Sequence, residues 1–86
     1  MGHMKNFAIE CGKAADDFRS LPFAFIEDED ARRMSDEIRN GEVRRAMDAL
    51  RDDMHTHYEC GNIIKRDRED AVYRQLVRIA MKGGAA

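Results

Sequence analysis

From Phe7 onward the apolar residues recur at the spacing of a helix. Phe7, Cys11, Ala14, Ala15 and Phe18 form one stripe, with Lys5, Glu10, Lys13, Asp16 and Asp17 mostly outside it. The pattern predicts a first helix from Met4 to about Ser20. Pro22 stops it, because the residue before a proline is pushed out of the α region. Gly12 costs this helix about 1 kcal/mol relative to Ala and is expected to mark a close helix crossing. Leu21, Phe23, Phe25 and Ile26 are too apolar for a solvated loop, so this connector is expected to lie across the bundle and close one end of the core.

Glu27-Asp28-Glu29-Asp30 opens a second helix, where four carboxylates meet the positive end of the helix dipole. Asp28 with Arg32 and Glu29 with Arg33 are acid-before-base pairs at i,i+4. Ala31, Met34 and Ile38 form a narrow apolar stripe, and Asn40-Gly41 supplies a helix stop. The third helix begins at Glu42, its apolar positions read as Val43, Ala46, Met47, Leu50, Met54 and Tyr58, and Gly61-Asn62 ends it. In the last segment Ala71, Val72, Leu76, Ile79 and Ala80 share a face. Two readings of its start compete: one helix from Asn62 to Lys82, or a turn near Lys65 to Asp67 before a helix capped by Asp67. Asp67 followed by Asp70 resembles a cap signal and favours the second.

Four helical segments with short connectors predict an all-α chain, a small three- to four-helix bundle. Eighty-six residues suit one domain. Met1-Gly2-His3 reads as a cloning scar before an initiator Met4, residues 4–82 as the domain and 83–86 as a disordered tail. The longest apolar run, Leu21 to Ile26, is far short of the roughly 18 residues of a membrane span. No membrane partner and a cytoplasmic location are the expectation. Cys11 and Cys60 lack CxxC spacing and are expected as buried thiols rather than a bridge.

Charge refines this picture. Fifteen basic and seventeen acidic residues nearly cancel, but residues 1–30 carry −4 and residues 61–86 carry +3. Eleven of the basic residues are Arg, whose planar fork suits paired oxygens. The acidic run Glu27, Asp28, Glu29 and Asp30 and the later stripe Arg74, Arg78 and Lys82 are therefore the candidate partner-binding residues. Met47, Leu50 and Met54 are the candidate face for a homodimer, because Met packs adaptably at interfaces; the competing reading puts them in the monomer core.

The candidate chemistry is sparse. His55 and His57 are two apart and point to opposite sides of a helix, while His57 and Cys60 are three apart and lack a third ligand. No GxxxxGK, GxGxxG or HExxH pattern occurs. No catalytic residue, metal or cofactor is expected, and the chain is read as non-enzymatic. The Arg stripe would suit phosphates, but it also complements the negative end of its own helix. A helix-turn-helix around Asn40-Gly41 would need a small residue at Glu37 and tolerance of Asp48 near a phosphate backbone. The preferred expectation is a protein-interaction module, an adaptor or inhibitor of a larger protein or nucleoprotein assembly; a small DNA- or RNA-binding regulator is the alternative. Helical proteins of this size and charge occur among phage and mobile-element accessory inhibitors, and no motif assigns the chain to them.

Overall fold

The structure, a computed structural model, describes the backbone of residues 2–84 and the side chains of residues 7–83. Its elements are α1 (Gly2–Arg19), α2 (Asp28–Arg39), α3 (Arg44–Glu59) and α4 (Ile63–Ile79), followed by a π-helical turn at Ala80–Gly84. No strand occurs among the described residues. The expected all-α bundle is what the chain forms. Gly83 and Gly84 close the π turn, so helical backbone runs beyond the expected boundary at residue 82. Met1 of the expected scar and residues 85–86 of the expected tail lie outside the described residues.

Two glycines make the turns. α2 and α3 both end in a Schellman motif. The Glu42 amide donates to the Glu37 carbonyl and the Gly41 amide to that of Ile38; the Asn62 amide donates to His57 and the Gly61 amide to Tyr58. Gly41 at φ +85° and Gly61 at φ +80° adopt the left-handed conformation these motifs demand. α4 then starts at once, with Asn62 as its N-cap and the Arg66 amide bonded to the Asn62 carbonyl. The expected turn at Lys65 to Asp67 does not form. With Gly61 already reversing the chain, nothing in the run Lys65 to Asp70 breaks a helix, and its weak cap signal goes unused.

α1 packs beside α2 and α3 beside α4, and the two pairs meet chiefly through α1 and α4. The core gathers Cys11, Ala14, Ala15 and Phe18 of α1, Ala31, Met34 and Ile38 of α2, Val43, Ala46 and Leu50, and Val72, Leu76 and Ile79 of α4. The buried Ser35 hydroxyl donates to the Ala15 carbonyl across the α1–α2 contact. The connector behaves as expected for Leu21, Phe23 and Ile26, which pack on the core, with Phe23 tilted against Phe18 at 5.1 Å. Phe25 departs from that reading and is 53% exposed.

Gly12 is not at a close crossing. A Cβ there would meet only an Arg39 guanidinium nitrogen at 3.9 Å. Gly12→Ala should therefore stabilise the fold by about 0.5–1 kcal/mol by removing the backbone freedom of glycine without a clash. Urea melts should show a higher midpoint at unchanged slope; an equal or lower midpoint would mean that the glycine is needed for packing.

Candidate functional site

The inward row of α3 runs Val43, Ala46, Leu50, Asp53, His57, a strict three-four-three-four spacing, and that of α4 runs Glu69, Val72, Leu76, Ile79. Three core positions are thus occupied by ionisable side chains. Asp53 and Glu69 have no exposed surface and His57 has 2%. Isolated burial of such groups is costly, so each needs partners.

The connector supplies them. Asp53 Oδ2 accepts the Ala24 amide at 2.8 Å, and Oδ1 accepts the Phe25 amide at 3.0 Å. His57 Nε2 lies 2.8 Å from the Pro22 carbonyl oxygen. A carbonyl can only accept, so the ring carries its proton on Nε2. That same nitrogen is 3.6 Å from Asp53 Oδ2 and 3.5 Å from Glu69 Oε2, while Nδ1 is buried without a partner. Ligand atoms of all three side chains lie within 4.8 Å of one another.

Neither Glu69 oxygen receives a hydrogen bond from a protein donor. Between the two carboxyls the hydrogen on offer is one that Glu69 itself carries. Burial, then the hydrogen bond to Asp53 and the charge of Asp53, push the Glu69 carboxyl up to about 9. Burial also works to raise Asp53, but the Glu69 hydrogen bond, the Ala24 and Phe25 amides and the neighbouring His57 ring outweigh it and hold Asp53 below the usual carboxylate range. The cluster is thus one anion, Asp53, ringed by donors. His57, Asp53 and Glu69 are the residues that could hold a metal ion. None of them lines either the groove beside Phe25 and Arg45 or that beside Arg44 and Arg51.

The residues singled out in the sequence lie elsewhere. Glu27, Asp28, Glu29 and Asp30 are all exposed at the start of α2. Asp28 pairs loosely with Arg19 at 3.5 Å and Arg32 at 3.7 Å, whereas the expected Glu29–Arg33 pair is not formed. Arg74 is paired with Asp70 at 3.0 Å and Lys82 with Glu10 at 2.9 Å, so the basic stripe is largely committed to neighbours; Arg78 is exposed and pairs with no acid among the described residues. Of the possible dimer face, Leu50 is sealed in the monomer core and Met47 packs half-buried against it, in line with the competing reading, while Met54 is half-buried. Cys11 and Cys60 are free thiols. Cys11 is buried, and its burial followed by the charge of Glu10 raises it, but Cys60 is exposed, contrary to expectation, and His57 faces away into the core.

Sequence reasoning assigned neither Asp53 nor Glu69 to a site, taking both for solvated charge. A scan against protein-family models found no match, and neither a search of curated proteins nor a search of solved structures matched the chain. Its functional reading rests on its own geometry.

The protonated carboxyl carries a sign that can be checked. Glu69 ionises near the ordinary value when unfolded but only at about 9 when folded, so between these the folded chain holds the extra proton. Its contribution is full below the unfolded value and is lost as pH rises toward 9. The Asp53 contribution runs the other way and is lost only in acid, as pH falls through its lowered folded value. Denaturant melts in chelator should show the wild type losing stability from pH 5.5 to 8, by at most about 1.4 kcal/mol per pH unit from this group, and Glu69→Gln losing less. Parallel profiles for the two chains would contradict a protonated Glu69.

Proposed function

We propose that the chain is a protein-binding module that engages a basic partner surface through the acidic start of α2 and the adjoining Phe25. The observation that carries the reading is that Glu27, Glu29 and Asp30 face solvent without an ion-pair partner among the described residues, beside a half-exposed aromatic ring. Their position at a helix start stabilises α2 whatever they bind. Three unpaired carboxylates on one turn also create a local negative field that steers a cationic surface.

A small groove of about 320 Å³ adjoins them. Its lining combines the apolar Phe25, Ile26, Met34 and Ala49 with the charged Asp30, Arg33 and Arg45. Protein interfaces combine apolar and polar groups in this way, and the groove suits one apolar side chain projecting from a basic helix or loop. The larger groove, about 980 Å³, mixes Arg44, Arg45 and Arg51 with Glu37, Glu42 and Asp48. Acids interleaved with arginines disfavour a phosphate backbone, so the nucleic-acid alternative has less behind it.

The test uses a neutralised variant, Glu27→Gln/Glu29→Gln/Asp30→Asn, which retains side-chain size, and separately Phe25→Ala. For a partner identified by pull-down and mass spectrometry, the neutralised chain should associate about tenfold more slowly at low salt, with a weaker salt dependence. Phe25→Ala should dissociate faster, while Arg74→Gln/Arg78→Gln binds like the wild type. Unchanged association by the neutralised chain, with helical content retained, would overturn the reading.

A further inference from the structure

We infer that Asp53, His57 and Glu69 form a binding site for a divalent transition cation of the zinc class, closed over by the Pro22–Phe25 connector. The three side chains come from two helices separated by a turn and bring one ligand atom each within 4.8 Å of one another, His57 Nε2 facing Asp53 Oδ2 and Glu69 Oε2. The separations from Nε2, 3.6 and 3.5 Å, match the edge of a tetrahedron whose centre is about 2.0–2.2 Å from each corner, the bond length of zinc to nitrogen and carboxylate oxygen. The Pro22 carbonyl oxygen, 2.8 Å from Nε2, is at hand as a fourth ligand, and a shift of about 0.7 Å brings it to the 3.5 Å separation of Glu69 Oε2 from the same nitrogen.

Both Glu69 oxygens are fully buried and receive no protein donor, which marks a carboxyl aimed at a cation or a proton. Two carboxylates and a neutral imidazole around a dication sum to zero charge, the arrangement that a dry interior tolerates best. An imidazole in the set favours zinc, copper, iron or nickel over magnesium, calcium and manganese. The orienting shell is present on the Asp53 side, where the Ala24 and Phe25 amides fix the carboxylate. Binding releases the Glu69 proton and moves the ring proton from Nε2 to Nδ1, so no further reactant is needed. Structural zinc sites are closed in this way, and the ion would enter as the connector docks.

The test begins with chelator-stripped protein in a His55→Gln/Cys60→Ser background, which removes the exposed donors nearby. Titration with zinc chloride should give one saturable site and raise Tm by on the order of 10 °C once free zinc exceeds its Kd about 100-fold. Glu69→Gln keeps a hydrogen-bond donor toward Asp53 and so preserves the apo cluster, yet it should weaken zinc by at least about 100-fold, beyond the loss typical of an orienting residue. Nitrogen-15 spectra of the background chain, which need no ligand variant, should show His57 Nε2 moving on zinc addition. No saturable site, an unmoved His57 ring, or Glu69→Gln binding within about threefold of the background would each overturn the assignment.

Discussion

A carboxylate taken out of water must find donors, and Asp53 finds two in the backbone of the segment that joins α1 to α2. That constraint does more than satisfy Asp53. The connector is irregular, and its amides and carbonyls have no ladder of their own. Asp53 takes the Ala24 and Phe25 amides, and His57 meets the Pro22 carbonyl, so side chains of α3 do for the connector what a neighbouring strand would do in a sheet. The apolar residues of the same segment, Leu21, Phe23 and Ile26, then fall onto the core. The α1–α2 pair is thereby tied to α3, although α2 and α3 themselves touch little.

The surface follows from the same anchor. With Ala24 and Phe25 held by their amides, the Phe25 ring turns outward and Ile26 inward, and Glu27 to Asp30 emerge as the first turn of α2. The groove between Phe25 and Arg45 exists because the connector is pinned on one side and α3 runs past on the other. A buried polar cluster without access to either groove is thus the foundation of the acidic, half-aromatic face on which the proposed partner would sit. Breaking one buried partner leaves the others uncompensated, which makes the cluster sensitive in a way the exposed ion pairs are not.

Much of the fold was legible in the sequence. Pro22, Asn40-Gly41 and Gly61-Asn62 each mark a real boundary, because φ restrictions and left-handed turns are local properties. The α1 stripe is likewise real. The cluster was not legible, and the reason lies in α3. Beyond Leu50, reading by hydropathy selects Met54 and Tyr58, whereas the three-four spacing from Val43 selects Asp53 and His57. The helix follows the spacing, leaving Tyr58 exposed beside Arg66 and burying the acid. Glu69 was hidden in the same way, inside the charged run Lys65 to Asp70, although it continues the spacing of Val72, Leu76 and Ile79. Periodicity held where polarity misled, since tertiary partners 28 to 29 residues distant decide whether an acid can be buried.

The central claim, that the buried Asp53 carboxylate holds the connector, is most directly tested by amide hydrogen exchange at Ala24 and Phe25. Both amides belong to an irregular, outward-facing segment, so without Asp53 they should exchange at nearly the rate of an unstructured chain. In the wild type they should be protected to a degree comparable with the middle of α3, and Asp53→Asn, which keeps the shape but not the charge, should reduce that protection while core amides of α3 and α4 keep theirs. Fast exchange of Ala24 and Phe25 in the wild type would show that the connector is not held by the cluster, and the account would fail at its base.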